Sequence, residues 1–154
     1  KADKYIITPQ FEKAEPFSET LAAVRLNGKW GYINSAGELV IPYQFNEAES
    51  FSEGCAAVRL GNKWGYISRD GSYLINPKFE DDMDGEDDEK KFSEGLAAVK
   101  IDGKWGYINT SGKFIITPQF SSAERFHNGL AAVKQNSKRG YIDKTGRIVW
   151  MQLN

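Results

Sequence analysis

The chain has 154 residues, of which 40% are hydrophobic and 27% are charged, and its formal net charge is −1 at pH 7. A chain of this size normally forms one domain, and its near-neutral charge gives no general signal for nucleic acid or for a membrane surface. The longest apolar runs are far too short to span a membrane, and the single Cys55 excludes an internal disulfide. We therefore expect one domain, residues 1–154, with no nucleic-acid partner and no membrane span.

A five-residue motif recurs four times along the chain. Lys-Trp-Gly-Tyr-Ile occupies 29–33, 63–67 and 104–108, and a fourth copy at 138–142 has Arg139 in place of the tryptophan. The offsets are 34, 41 and 34 residues, a period that indicates stacked or radially arranged repeat units. The motif residues expected to be structural are Trp30, Gly31, Tyr32, Trp64, Gly65, Tyr66, Trp105, Gly106 and Tyr107.

A strand-like segment and a two-residue spacer precede each motif. The segment reads Leu-Ala-Ala-Val followed by Arg or Lys, and Cys55 replaces the leucine in the second copy. Two of the spacers are Asn27-Gly28 and Asp102-Gly103. Asn-Gly and Asp-Gly are strong signals for a tight hairpin, because both central residues need positive φ. Each unit is therefore predicted to contain an antiparallel hairpin.

A second turn and a third strand follow each hairpin. Segments such as Asn34-Ser35-Ala36-Gly37 favour a type I turn closed by a left-handed glycine. The third segment is rich in Ile, Leu, Val and aromatic residues, and a proline is expected to stop the strand in four copies. These prolines are Pro9, Pro42, Pro77 and Pro118. The approximate units are 5–38, 39–72, 73–113 and 114–146, with a C-terminal cap strand at 147–154.

The connector between units repeats as well. Phenylalanines stand at both ends of 11–17, 45–51 and 120–126, and Ser-Glu follows in the first three units. Trp30 and Tyr32 share one face of their strand, and Gly31 lies on the other, where a neighbouring backbone or ring can approach closely. We therefore expect the repeated aromatic residues to form the core between units.

The motifs Phe-Ser-Glu-Gly-Leu-Ala-Ala-Val, Gly-Lys-Trp-Gly-Tyr-Ile and Gly-x-x-x-Ile-x-Pro-x-Phe together resemble the WG repeat family, also written KWG. The resemblance covers essentially the whole chain. It implies a bacterial, β-rich repeat scaffold that serves as an interaction module, and it supplies no catalytic residue. The fourth copy departs from the pattern at Arg139 and at His127-Asn128, which indicates a terminal unit that faces solvent.

The two ends of the chain bear on whether the array is open or closed. The third segment occurs five times, beginning at 5, 39, 73, 114 and 148, whereas the hairpin occurs four times. A closed ring of four units would use each segment once, which leaves one copy over. We therefore expect an all-β, open array of about four three-strand units, with a closed, propeller-like ring as the alternative.

Charged positions repeat in register and form ladders. The ladders are Lys29, Lys63, Lys104 and Lys138; Arg25, Arg59, Lys100 and Lys134; and Glu19, Glu53 and Glu94. Ladders of identical side chains do not converge as a nucleophile, an acid and a base, so we expect no enzyme, no cofactor and no metal site. We interpret them as solvated, charged faces that keep the array soluble and in register, the alternative being a groove for an anionic or peptide partner. Cys55 is expected to be a buried hydrophobic residue and His127 an exposed turn residue.

One acidic insertion breaks the period. Seven extra residues enter between Phe79 and Phe92, within 81–91. The run from Glu80 to Gly85 faintly resembles a calcium loop, but Lys91 stands where that loop needs a bidentate glutamate. A solvated acidic loop that reaches a basic partner is the preferred interpretation. The candidate binding residues are Asp82, Asp84, Glu86, Asp87 and Asp88, together with Arg139 of the fourth unit.

The sequence therefore predicts a non-catalytic repeat scaffold that binds a protein or peptide partner. The alternative is a module that binds carbohydrate, such as a cell-surface glycan, through its repeated tryptophans and tyrosines, since aromatic rings stack on flat ligands. The chain begins at Lys1, which fits a processed or excised product. The compartment thus stays open between extracytoplasmic, with a leader removed, and cytoplasmic.

Overall fold

The computed structural model describes residues 10–82 and 90–153, and within them every regular element is a β-strand. The predicted all-β class is confirmed. None of the described segments forms a helix long and apolar enough to cross a membrane. The strands are β1 Lys13–Ala14, β2 Leu21–Leu26, β3 Lys29–Asn34, β4 Leu39–Phe45, β5 Glu47–Ala48, β6 Ala56–Leu60, β7 Lys63–Ile67, β8 Tyr73–Glu80, β9 Ala97–Ile101, β10 Lys104–Ile108, β11 Phe114–Phe120, β12 Ser122–Ala123, β13 Leu130–Gln135, β14 Lys138–Asp143 and β15 Ile148–Met151.

The strands form four antiparallel sheets that follow one another along the chain. The first sheet is β1-β2-β3-β4, the second β5-β6-β7-β8, the third β9-β10-β11 and the fourth β12-β13-β14-β15. The connector supplies the short strands β1, β5 and β12, which extend the expected three-strand unit to four strands. Each third segment that the structure describes pairs with the hairpin that precedes it. The sheets therefore begin and end at other residues than the approximate repeat units 5–38, 39–72, 73–113 and 114–146.

The hairpins form as the spacers predict. Asn27 and Gly28 have φ of 51° and 77°, and Asp102 and Gly103 have 50° and 74°, so both central residues are left-handed as a type I′ turn requires. In the second hairpin only Gly61 has positive φ, which matches the type II′ alternative.

The prediction that proline ends the third strand is wrong in the three copies that the structure describes. β4, β8 and β11 each continue past their proline to a phenylalanine. Trp30 pairs with Phe45 and Tyr32 pairs with Ile41, so Gly31 alone faces the three residues between them. Residues in such a bulge make no hydrogen bond of the strand ladder, so a proline there loses none. The strand therefore continues past the proline. A Cβ on Gly31 would lie 2.6 Å from the Ile41 carbonyl oxygen, which explains the glycine of the motif.

The hydrophobic core lies between successive sheets. We call the face of a sheet that carries the motif Trp and Tyr positions its forward face. The forward faces of the first, second and third sheets each pack against the opposite face of the next sheet and against its connector. No core cluster of the described residues joins the fourth sheet to the first, and no sheet closes into a barrel. The expected open array is confirmed.

Candidate binding face on the last sheet

Each inner forward face holds the connector of the next sheet in the same way. The hydroxyls of Tyr32, Tyr66 and Tyr107 donate hydrogen bonds to the carbonyls of Glu49, Lys90 and Glu124, at 2.7, 2.7 and 2.6 Å. The phenylalanine two residues further on packs edge-on against the tyrosine, with ring centroids 5.0, 5.0 and 4.9 Å apart for Phe51, Phe92 and Phe126. Burial raises the pKa of Tyr32 and Tyr66 far above the usual value, and the phenols therefore stay protonated and donate.

The Ser-Glu pair of each inner unit also contacts the next unit. Ser18, Ser52 and Ser93 donate to the carbonyls of Phe51, Phe92 and Phe126 at 2.7, 2.8 and 2.7 Å. The carboxylates of Glu19, Glu53 and Glu94 accept the backbone N–H of Gly54, Gly95 and Gly129 at 3.0, 3.0 and 3.1 Å. We call this last contact the glutamate clasp. The charged ladder was expected to keep the array in register, and the glutamates do contact the next unit, because their carboxylates accept its backbone N–H groups.

The forward face of the fourth sheet has the same frame, but no sheet among the described residues covers it. Tyr141 pairs with Ala132, as Tyr107 pairs with Ala98, so the two tyrosines occupy equivalent places. Tyr107 is fully buried, whereas Tyr141 is 47% exposed and Trp150 is 53% exposed. The two exposed rings lie beside each other, with centroids 6.1 Å apart. We call this surface the open face.

A groove of about 720 Å³ runs along the open face. Its lining residues are Ser122, Glu124, Ala132, Val133, Lys134, Arg139, Gly140, Tyr141, Trp150 and Gln152. The set combines two aromatic rings, two cations and one carboxylate, so it can pack an apolar group and pair with an anionic one. Arg139 lines the groove at the position where each inner sheet has a tryptophan, and those three tryptophans are 3–5% exposed.

Arg139 is held by its backbone, which leaves its guanidinium free to reach a ligand. Its carbonyl accepts the Gln152 N–H at 2.8 Å, and its own N–H donates to Oε1 of Gln152 at 3.4 Å. In the part of the chain that the structure describes, its side chain forms no ion pair and lies exposed. An exposed guanidinium beside aromatic rings suits a carboxylate or another planar group.

The predicted acidic site lies largely outside the described residues. Asp84, Glu86, Asp87 and Asp88 fall there, and Asp82 is described and partly buried. Asp82, the member of the set that the structure describes, does not line the groove to which Arg139 belongs.

The flanks of the acidic insertion hold a cluster that the sequence did not reveal. Asp81 accepts a hydrogen bond from Nε1 of Trp64 at 2.7 Å and lies 3.9 Å from Nζ of Lys90. That ammonium is buried and sits 4.7 Å from the centroid of the Trp64 ring. A lone lysine within an acidic run gives no signal of this contact, because the contact depends on how the insertion returns to the core.

The remaining candidates have structural roles. Cys55 is buried, as expected, and burial raises the pKa of its thiol, with the Glu19 and Glu53 carboxylates adding to the shift. His127 is exposed in a turn, as expected. Among the described residues no three His, Cys, Asp or Glu side chains are grouped as metal ligands. The three motif tryptophans are buried, so they offer no ring face to a sugar; the exposed rings of the open face are Tyr141 and Trp150.

Comparison with known proteins identifies the repeats. The family model described as "WG containing repeat" matches residues 1–30, 30–64, 64–81, 90–105 and 105–138. Among curated proteins no sequence matches the chain.

Two solved structures share the fold at low sequence identity. One is described as a eukaryotic initiation factor, with a TM-score of 0.62, 10% identity, and coverage of 95% of this chain and 45% of that one. The other is KlHsv2 with loop 6CD replaced by a Gly-Ser linker, with a TM-score of 0.54, 11% identity, and coverage of 90% and 50%. This chain therefore spans about half the length of either structure, and at such identity the likeness shows the fold alone.

Proposed function

We propose, from the premise that this chain belongs to the WG containing repeat family, that it is a non-catalytic scaffold which binds a protein or peptide partner on the open face. One observation carries the proposal: three equivalent forward faces are sealed by the chain itself, and the fourth is an open groove of about 720 Å³.

The composition of the open face supports this proposal. Tyr, Trp and Arg are the residues that most often dominate the energy of protein interfaces. Tyr141 and Trp150 expose about half of their surface next to Arg139 and Lys134, in a chain whose other motif aromatics are buried. A groove lined by rings and cations is suited to a segment that carries an apolar side chain and a carboxylate.

The test is a selection of peptide ligands on the intact chain, followed by measurement on variants. Arg139→Glu and Trp150→Ala are each expected to weaken the selected ligands at least about tenfold. Lys104→Glu, an exposed charge reversal at the tip of the third hairpin, is the matched control and should leave binding unchanged. If the selected ligands bind all three variants equally well, the open face is not the binding site.

Glycan binding remains a second candidate, and the exposed ring pair Tyr141 and Trp150 is the observation that favours it. A glycan array would supply the probe, and Trp150→Ala should abolish any hit that stacks on this pair. A hit that Trp150→Ala leaves unchanged would exclude the ring pair as the sugar platform.

A contact between the acidic residues 82–89 and a basic partner stays a separate proposal. Because Asp81 and Lys90 contact Trp64, the informative variant deletes 83–89, the seven residues by which this connector exceeds the others, and keeps these two residues. Loss of binding to a basic peptide in this deletion, with the unfolding midpoint unchanged, is the expected result. Unchanged binding would remove the acidic residues from the function.

A further inference from the structure

We propose that the ligand of the open face is an extended peptide segment that carries an acidic residue two positions before a phenylalanine, acid-x-Phe. This inference rests on the proposed function of the open face and names the chemistry of its partner. It follows from three inner faces of the same frame, each of which holds a segment with a phenylalanine two positions after a bound carbonyl. That carbonyl belongs to Glu49 in the first face, to Lys90 in the second and to Glu124 in the third.

The inner faces show how the segment is recognised. A tyrosine hydroxyl binds the carbonyl two residues before the phenylalanine, and the phenylalanine ring packs edge-on against the same tyrosine, as for Tyr107 with Glu124 and Phe126. The contacts use one backbone carbonyl and one ring. They therefore recognise a phenylalanine that lies two residues after a carbonyl available to accept the tyrosine hydrogen bond. They place no demand on the residue between the two.

The open face keeps the parts that make these contacts. Tyr141 stands opposite Ala132, a small residue, just as each inner tyrosine stands opposite an alanine of the Leu-Ala-Ala-Val segment or its copy. In the inner faces that alanine leaves room for the incoming phenylalanine ring. No hydrogen bond of the Tyr141 hydroxyl occurs within the described residues, so it is available as a donor.

The charge of the open face selects an acidic residue. Arg139 lies two residues before Tyr141 on β14 and on the same face, at about 7 Å along the strand. In the second interface the residue at this place, Lys90, brings its ammonium to 4.7 Å from the centroid of the Trp64 ring, and Trp64 is the equivalent of Arg139. A carboxylate at the same place on the open face would lie near Arg139, whereas the first sheet has the neutral Trp30 there. Three of the chain's own four connectors have glutamate at this position, Glu15, Glu49 and Glu124.

The fourth unit also lacks the serine and glutamate residues with which each inner unit binds the next one. His127 and Asn128 stand where Ser93 and Glu94 bind the next unit, so the serine bond and the glutamate clasp have no equivalent there. A ligand held by the tyrosine, the ring contact and Arg139 alone is therefore expected to bind reversibly.

The experiment uses a peptide with the chain's own residues 46–52, Asn-Glu-Ala-Glu-Ser-Phe-Ser, titrated into the intact protein up to about 1 mM. Amide and indole NMR signals of Tyr141 and Trp150 should shift. A peptide with Phe51→Ala should bind at least about tenfold more weakly, and one with Glu49→Lys about three- to tenfold more weakly.

Protein variants separate the contacts. Tyr141→Phe should weaken the peptide about two- to tenfold, because it removes one hydrogen-bond donor and keeps the ring. Arg139→Gln should abolish the preference for Glu49 over lysine. Tyr73→Phe, at an exposed tyrosine of β8, is the matched control and should change nothing.

Three outcomes would overturn the inference. One is equal binding of the Phe51→Ala peptide, and another is an unchanged affinity in Tyr141→Phe. If ligands selected on the open face need Arg139 and Trp150 but carry no phenylalanine, the inference fails and the proposed function stands.

Self-association is a separate outcome, which would support the acid-x-Phe motif and change only the molecule that supplies it. Phe17 follows Glu15 with the same spacing and is 48% exposed, so a second copy carries the motif on its surface. A concentration-dependent dimer that Phe17→Ala abolishes and that competes with the peptide would make the occupant a second copy rather than a separate partner.

Discussion

The third and fourth sheets share one backbone plan and differ in what lies on their forward faces. Both have the hairpin, the second turn and the glycine of the motif, and the strand pairing is the same in β9–β10 and β13–β14. Yet Tyr107 is buried beneath the fourth sheet, while the equivalent Tyr141 is half exposed. The sheet therefore forms without a cover, and the repeat positions divide into those that build their own sheet and those that bind the next one.

The substitutions in the terminal units follow this division. The glycine of the motif and the glycine of the second turn, which serve the sheet itself, are present in the fourth copy as Gly140 and Gly146, although Ser137 stands in the hairpin spacer. The tryptophan, serine and glutamate, which contact the next sheet, are replaced by Arg139, His127 and Asn128. In the first unit Thr20 replaces the glycine whose N–H donates to the glutamate clasp in the later units. These four exceptions to the repeat thus stand at positions whose repeated contacts with a neighbouring sheet are absent from the described residues of the first and fourth sheets.

The largest expected effect distinguishes the covered tyrosine from the open one. Tyr107→Ala should lower the free energy of unfolding by about 3–5 kcal/mol, because it leaves a cavity and orphans the Glu124 carbonyl. Tyr141→Ala should cost less than about 1 kcal/mol. Urea unfolding of both variants tests this. Equal losses would mean that the open face is covered in solution.

The next largest loss of stability is expected at the motif glycine, which is needed to form its own sheet. Gly65→Ala should cost about 3 kcal/mol, because the added Cβ would lie 2.6 Å from the Ile75 carbonyl oxygen and 2.7 Å from the Pro77 nitrogen. Gly140→Ala in the fourth sheet should cost a comparable amount, since the Trp150 carbonyl oxygen lies 2.7 Å away. Denaturant midpoints measure both. A negligible cost at Gly140 would contradict the division between sheet-building and neighbour-binding positions.

A smaller effect tests the glutamate clasp. Glu53→Asn should cost about 1 kcal/mol, since the shorter side chain no longer reaches the Gly95 N–H while asparagine suits the positive φ of 52°. The reverse change in the last unit, Asn128→Glu, should leave the free energy of unfolding unchanged, because no described glycine lies ahead of it. Thermal unfolding of the pair measures the difference. A loss in both variants would show that the residue acts within its own turn.

A stabilising change is expected at the first unit. Thr20 is a β-branched residue at φ 72°, where glycine stands in the other three copies. Thr20→Gly should raise the free energy of unfolding by about 0.5 kcal/mol, because relief of strain exceeds the added chain entropy. The control, Gly54→Thr, should lower it by about 1 kcal/mol or more. The opposite sign at Thr20 would mean that its contact with Arg69 outweighs the strain.

The smallest effect is a dependence on pH in the fourth turn. Hydrogen bonds from Thr145 lower the pKa of Asp143, and a third-turn asparagine, Asn109, makes the equivalent backbone bonds without a titrating group. A carboxyl whose folded pKa is lowered adds stability above its unfolded pKa and loses it as the pH falls below about 4. The carboxyl titration of Asp143, followed by NMR, should have a midpoint below the usual value. Asp143→Asn should reduce the acid sensitivity of the protein, and an unshifted midpoint would contradict this account.

Local chemistry made much of the fold predictable. Asn27-Gly28 and its counterparts determine the hairpins, and the count of third segments pointed to an open array. The proline positions were misread, because a bulge opposite Gly31 depends on pairing between strands. The glutamate clasp was missed for a similar reason, since Glu19 meets Gly54 only after two sheets stack.

The open face was predictable only in part. Arg139 was predicted as a binding residue because it departs from the motif. Tyr141 was not predicted, because it matches the motif. The sequence shows which residue is present, but exposure depends on whether a sheet follows, and that requires the three-dimensional arrangement. The cluster of Asp81, Lys90 and Trp64 could not be predicted from the sequence, because it brings together the two flanks of the insertion.

One clasp spans a longer stretch of chain than the others. Glu53 reaches Gly95 across 42 residues, whereas Glu19 and Glu94 each reach their glycine across 35, and the bond lengths are alike. The connector after β8 has thus taken in extra residues without altering how its neighbours stack. We therefore expect this connector to accept a grafted epitope or a small reporter domain.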